Sequence, residues 1–315
     1  MSTENEREPL IIHHRGCSDG ICGAMVIWYG LGRRGDLMPA QYGDKPPEVE
    51  EVAGRHVYIV DFSYPRETLT DIAKHAARLE VFDHHKSAAE HCDGLPYCTF
   101  DMDQSGAGLA LERFRSTLDM VPDMREALSE MVAYVQDRDL WRFDLPESKA
   151  LNAWLMSWPR NLHSWRELLF FWMSDDRNQR AAEGAAILRR QRQLIDVMLY
   201  HARPSTWSMP KSAEPFRASC LLVNAPILQS EIAGALAERE GSSFGVAWWQ
   251  TSEGTYRYSL RSRSKIDVST VAECYGGGGH ARAAGFSSAF PPEWLFATDD
   301  NRFWDGPKRD KEAGA

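Results

Sequence analysis

Apolar residues in the first third of the chain gather into short runs, and each run ends in polar, metal-capable side chains. Leu10-Ile11-Ile12 leads into His13-His14-Arg15-Gly16-Cys17-Ser18-Asp19-Gly20, His56 to Val60 ends at Asp61, and Leu79 to Phe82 ends at Asp83-His84-His85-Lys86. Short apolar runs bounded by polar loops read as buried strands. Between them lie helical patterns. One runs from Ile21 to Leu31 before Gly32 and Gly35; the other follows Pro65 over 66–77, with Leu, Ile and Ala on one face and Arg66, Glu67, Asp71 and Lys74 on the other. Strands alternating with helices predict a parallel α/β sheet, whose ligand crevice lies beyond the carboxyl ends of its strands. The three polar run-ends would meet there.

Further along, Asp103 to Ala107 opens a helix through Leu109, Leu111 and Phe114. Ser105 reads there as an N-cap or as part of a phosphate-binding helix start. A helix over 124–135 leads into Gln136-Asp137-Arg138-Asp139-Leu140-Trp141-Arg142-Phe143, where two carboxylates flank an arginine; a surface salt-bridge cluster is the plain alternative. Residues 148–202 read as helical, with Trp154, Trp158, Trp165 and Trp172 spaced to fill a core and Arg189, Arg190, Arg192 and Gln193 on a solvated face. Prolines make 42–47 a loop and 204–215 a boundary or exposed loop. The C-terminal part shows strand patterns over 219–223, 244–250 and 255–261 and a helix over 227–240. Gly276-Gly277-Gly278-Gly279-His280 then stands between an apolar helix around 267–269 and an alanine-rich stretch through Phe286 read as helix. Such a glycine run frees backbone N–H groups to form an anion-binding nest.

Length and charge narrow the function. With 315 residues, two domains are expected. Hydrophobic residues at 43% and charged residues at 26% are ordinary for a globular chain, which excludes a fibrous or disordered one. A net charge of −9 opposes long-range attraction to a nucleic-acid backbone, so short or single nucleotides fit better than long duplexes. The six cysteines include no C-x-x-C pair, and all but Cys17 read as buried thiols in a reducing compartment. The polar, acidic start over 1–9 lacks a signal-peptide pattern, and no apolar run reaches the ~18 residues of a membrane span. A cytoplasmic location without membrane contact is the expectation.

His13, Cys17 and Asp19 in one loop, with Asp61 and Asp83-His84-His85 at two further strand ends, form a metal-site composition of imidazole, thiolate and carboxylate. A packed polar turn and a surface aspartate beside two titrating histidines are the plain alternatives. The order of these motifs, followed by Asp137 and by Gly277-Gly278-Gly279-His280, resembles the DHH phosphoesterase superfamily with its associated C-terminal domain. RecJ-type exonucleases, nano-RNA hydrolases and cyclic-dinucleotide phosphodiesterases belong to that superfamily. The resemblance covers about 10–286. It implies a DHH domain over 8–147, a helical connector over 148–205, a smaller mixed α/β substrate-binding domain over 206–290 and a charged tail over 291–315. It also implies a cleft between the domains holding two divalent ions, usually Mn2+. By that analogy His13, Cys17 and Asp61 hold one ion, and Asp19, Asp61, His84 and Asp137 the other, with Asp61 bridging. Asp83 would orient a ligand imidazole, and His85 would contact phosphate. Ser259, Arg261, Ser262, the glycines at 277–279 and His280 would bind substrate.

The family usually has aspartate where this chain has Cys17, and a soft thiolate favours Zn or Fe over Mn2+ or leaves a single ion. The implied activity is hydrolysis of a phosphodiester in short oligonucleotides, dinucleotides or related small nucleotides. A nucleotide phosphomonoesterase and a nucleotide-binding regulator of weakened activity are the alternatives, and a homodimer is the candidate assembly.

Overall fold

The computed structural model describes residues 7–41, 44–174, 176–208 and 217–296. The acidic start through Glu6, Tyr42-Gly43 of the first proline loop, residues 209–215 of the second and the tail beyond Phe296 lie outside the described residues. In chain order the first elements are β1 (Leu10–His14), α1 (Ser18–Gly30), β2 (Asp36–Ala40), α2 (Val49–Val52), β3 (His56–Val60), α3 (Arg66–His75), β4 (Arg78–Asp83), α4 (Lys86–Cys92) and β5 (Cys98–Phe100). The helices α5 (Gly106–Phe114), α6 (Pro122–Asp139), α7 (Ser148–Met156), α8 (Leu162–Ser174) and α9 (Arg177–Tyr200) follow. The chain divides within α9 into units of residues 1–189 and 190–315.

In the N-terminal unit, five parallel strands run in the order β2-β1-β3-β4-β5. Period-two alternation sends neighbouring residues to opposite faces, so each strand needs apolar residues throughout. Ile11, Tyr58, Val60 and Phe82 join one core with α1, α5 and α6, while Ile12, Val57, Ile59 and Val81 join another with Leu69 and Ile72 of α3. The tryptophan-rich helices are part of this unit. Trp154, Trp165 and Trp172 are buried in the first core together with Leu151, Leu168 and Ala181. Strand order reverses at β1, with β2 on one side and β3 on the other, and that reversal opens the crevice beyond the strand ends.

The C-terminal unit is a mixed α/β domain. After α9 come β6 (Arg203–Ser208), β7 (Arg217–Asn224), α10 (Gln229–Ala237), β8 (Phe244–Gln250), β9 (Tyr256–Arg261), α11 (Val268–Glu273), β10 (Gly278–His280), β11 (Ala283–Ser288) and α12 (Pro292–Leu295). Its six strands take the order β10-β11-β9-β8-β7-β6, with only β7 and β8 parallel. Two sequence expectations fail here. Residues 203–208 form a strand despite Pro204, because β6 is an edge strand where a missing N–H costs little. The alanine-rich stretch after the glycines is also a strand: β10 and β11 form a hairpin in which Gly278 faces Gly285 and His280 faces Ala283. No helix among the described residues is long and apolar enough to cross a membrane.

Gly277 has a packing role in this hairpin. A Cβ there would be driven into the Gly285 carbonyl and the Phe286 side chain, and Phe286 is stacked between Tyr258 and Tyr275 at centroid distances of 4.5 and 4.6 Å. Gly277→Ala should therefore cost about 1–3 kcal/mol by overpacking. The expected readout is a melting transition lowered by several degrees; an unchanged transition would show that the hairpin has room.

Candidate metal centre

Three strand ends and two helix starts build the centre. His14 closes β1, Asp61 follows β3 directly, and Asp83, His84 and His85 leave β4. Cys17 is the N-cap of α1, and Asp19 lies in that helix's first turn. Asp61, Asp83, Asp19 and His84 are all essentially sealed from solvent. Three sets of side chains in this unit have ligand atoms within 4.8 Å of one another: His14, Cys17 and Asp61; Asp19, Asp61 and His84; Asp61, Asp83 and His85. Asp61 belongs to all three.

The backbone delivers Asp61 with care. Its φ is 56°, the left-handed region, while its N–H still donates to the Phe82 carbonyl at 2.9 Å. Gly106, at the start of α5, lies so close that a Cβ would stand 2.7 Å from the Asp61 nitrogen and 2.8 Å from its Cα. The neighbouring Ala107 N–H donates to both Asp19 oxygens, at 3.1 and 3.3 Å, so the start of α5 meets a carboxylate where the helix dipole favours one. Ser105 caps that helix as expected, accepting from the Gly108 N–H at 3.2 Å.

Around Asp61 the contacts are ionic. His84 Nε2 sits 3.3 Å from Asp61 Oδ1 and 3.3 Å from Asp139 Oδ2, and His14 Nδ1 sits 3.4 Å from Asp61 Oδ2. Burial alone would raise the Asp61 pKa, but the contacts from His14 and His84 outweigh it and hold the carboxyl well below its usual range. Burial also acts against a charged His84, yet the Asp61 contact and the charges of Asp139, Asp61 and Asp19 push it up to about 10. Asp19 and Asp139 go the other way, raised first by burial and then by neighbouring carboxylates. Desolvation, with the charges of Asp61, Asp139 and Asp19, likewise pushes the Cys17 thiol well up.

A cation suits this donor set. Carboxylates outnumber imidazoles, and Asp19 and Asp139 are driven towards holding protons by burial and by neighbouring carboxylates. Asp61, Asp19, His84, Asp139, His14 and Cys17 offer oxygen, nitrogen and sulfur donors of the kinds that ligate divalent metals.

Asp83 has a different task. It accepts from Ser63 Oγ at 2.6 Å, from the His84 N–H at 2.8 Å and from the His85 N–H at 3.3 Å, and it faces His85 Nδ1 at 2.7 Å. These bonds hold it ionised against its burial and fix the His85 ring by one nitrogen.

Two sequence-predicted residues stand apart from the cluster. His13 faces the opposite side of β1 from His14, and its Nδ1 lies 3.2 Å from the His14 carbonyl. Asp137 spends its carboxylate on the N–H groups of Asp144 and Leu145, at 2.9 and 3.3 Å. His14 and Asp139 occupy the positions that face the centre. Each is a near neighbour of the predicted residue, separated from it by strand parity in the first case and by the loop bonded to Asp137 in the second.

In the C-terminal unit, register puts Arg261 opposite Ala283 and Ala283 opposite His280. Ser259, Arg261 and His280 therefore share one face of the sheet. Arg261 donates to Ser230 Oγ at 2.6 Å and to the Leu260 carbonyl at 2.8 Å. Ser262 is buried on the other parity, where its Oγ accepts from the Ser264 N–H at 3.2 Å. Gly277, Gly278 and Gly279 form the hairpin's entry and first strand.

Residues 225–291 match the DHHA1 domain. The C-terminal unit therefore carries a DHHA1 domain. Among curated proteins, the uncharacterized protein R106 of Acanthamoeba polyphaga mimivirus is 25% identical over 297 residues, covering 88% of this chain and 67% of that protein. Among solved structures, a pGpG-specific phosphodiesterase, PggH, from Vibrio cholerae is 15% identical with a TM-score of 0.48, covering 90% of this chain and 94% of that one. RecJ from Thermus thermophilus, solved in complex with Mn2+, is 17% identical with a TM-score of 0.48, covering 89% of this chain and 49% of that one.

Because Gly106 abuts the Asp61 backbone, Gly106→Ala should shift Asp61 by several tenths of an ångström and weaken metal binding without removing a ligand. Calorimetric titration with Mn2+ is expected to show at least a tenfold loss, by analogy with the 10–100-fold effects of displaced supporting groups. Parent-like affinity would show that the close approach has no bearing on the centre.

Proposed function

We propose that this chain is a metal-dependent phosphoesterase of the DHH family that cleaves a phosphodiester in short oligonucleotides, dinucleotides or related small nucleotides. The observation that carries the reading is the convergence of buried carboxylates and imidazoles on Asp61 at the strand-order reversal of a parallel sheet. Asp61 would bridge, with Asp19, His84 and Asp139 on one side and His14 and Cys17 on the other. Divalent ions bound there would supply an activated water and neutralise charge on the phosphoryl group.

The chain's own residues do the remaining work. Asp83 holds the His85 ring through Nδ1, and His85 is the proposed contact to a phosphoryl oxygen. Ser259, Arg261, the glycines at 277–279 and His280 are the proposed substrate contacts of the C-terminal unit, with Arg261 as the guanidinium suited to a phosphate. Oxygen ligands favour Mn2+ or Mg2+, and Cys17 adds a donor that favours Zn or Fe.

Dinucleotides, cyclic dinucleotides, nucleotide monoesters and single-stranded DNA, each assayed with several divalent metals, test the proposal. Hydrolysis of a short diester is expected, lost on chelation and lowered about a hundredfold or more by Asp61→Asn, given that even supporting groups are worth 10–100-fold. Nucleotide binding with metal present but no turnover would replace the enzyme by a regulator.

Cys17 is tested separately. Cys17→Asp should keep activity and move metal preference towards Mn2+, and Cys17→Ser should weaken one ion. Unchanged metal affinities in both variants would remove Cys17 from the ligand set.

A further inference from the structure

The loop after α6 carries two aromatic residues to which the centre gives no task. Trp141 and Phe143 both have φ of 57°, a backbone region that suits glycine and strains bulky residues. Neither belongs to either hydrophobic core of the N-terminal unit. Both are half-buried, and their rings stand edge to face with centroids 5.0 Å apart.

Asp137 imposes this conformation. Its carbonyl accepts from the Arg142 and Phe143 N–H groups at 2.9 and 3.3 Å, and its carboxylate accepts from the Asp144 and Leu145 N–H groups at 2.9 and 3.3 Å. The Trp141 N–H donates to the Arg138 carbonyl at 2.9 Å, and Arg142 reaches away to the Asp103 carbonyl at 2.9 Å. A buried carboxylate thus pins a strained loop that starts two residues from Asp139, whose Oδ2 lies 3.3 Å from His84. Strain of this kind, over-determined by its surroundings, collects at functional sites. Two residues span at most about 7 Å, a reach comparable to that of a nucleoside from phosphate to base.

We propose that Trp141, backed by Phe143, is the surface on which a nucleobase of the substrate stacks; the proposal rests on the phosphoesterase reading and narrows its substrate class. Every base presents a π-face, so such a platform accepts bases without reading their edges. It selects base-bearing nucleotides over phosphorylated sugars and inorganic polyphosphate. Lys149, whose Nζ lies 5.2 Å from the Phe143 ring centroid, places a positive charge beside the rings.

The experiment compares the dinucleotide ApA with a counterpart lacking both bases, as the ratio of their kcat/KM values with Mn2+. Trp141→Gly should lower that ratio about tenfold or more, without lowering the melting temperature, because glycine adopts φ of 57° freely. Trp141→Phe should retain most of the preference. An unchanged ratio in Trp141→Gly, or an equal fall for both substrates with a lowered melting temperature, overturns the platform. If the unaltered protein hydrolyses neither substrate, the phosphoesterase reading fails, and the same ratio taken from calorimetric Kd values decides the platform. A parent that binds ApA no better than the abasic compound overturns it.

Discussion

Asp61 is almost sealed from solvent yet its pKa is held well down, and much of the N-terminal unit is arranged to make that tolerable. A lone buried carboxylate would take up a proton. Here His14 and His84 lie within 3.4 Å of its two oxygens, and the backbone twists to φ 56° to aim it between them. Such a twist costs of order 1–3 kcal/mol, and it fits only because Gly106 leaves the neighbouring helix start free of a side chain. The parallel sheet brings the carboxyl ends of β1, β3 and β4 together, and the starts of α1 and α5 border them, the second meeting the Asp19 carboxylate through the Ala107 N–H.

How much of this was legible follows from what each residue does. Strand runs ending in Asp61 and in Asp83-His84-His85 were readable, because a parallel strand buried on both faces must be apolar until it reaches the crevice. The choice between His13 and His14 was not, since it depends on which face of β1 each side chain leaves, and adjacent histidines offer no apolar contrast to set the phase. Asp137 and Asp139 posed the same problem on a helix end. The inner position was settled by a loop that consumes the Asp137 carboxylate as a backbone acceptor, a local bond pattern with no composition signal.

In the C-terminal unit the misread stretches share a cause. Glycine and alanine runs carry no apolar periodicity, so a hairpin held by close packing on Phe286 looks like a loop followed by a helix. Pro204 marks a boundary only if the strand it interrupts is central; at the edge of the sheet it is harmless. Tertiary position decided both cases. The strands whose pattern was clear, β8 and β9, lie inside the sheet, where side chains meet core on at least one face.

Charge orders the proposed reaction. With Asp19, Asp61, Asp83 and Asp139 gathered at one strand edge in a chain of net charge −9, a phosphodiester approaching the bare crevice meets like charge and gains nothing from long-range steering. Positive charge must therefore be in place before the phosphoryl group can settle, and His84 and His14 cannot supply it alone because both are already engaged by Asp61. On the proposed reading, substrate affinity and metal affinity are then one coupled quantity. On the same reading, the groups of the N-terminal unit that would orient the substrate without competing for the cations are the ring of His85, fixed by Asp83, and aromatic surface. On the proposed reading a ligand that brings its own apolar or π-face is favoured, since electrostatics alone would hold inorganic phosphate as readily as a nucleotide.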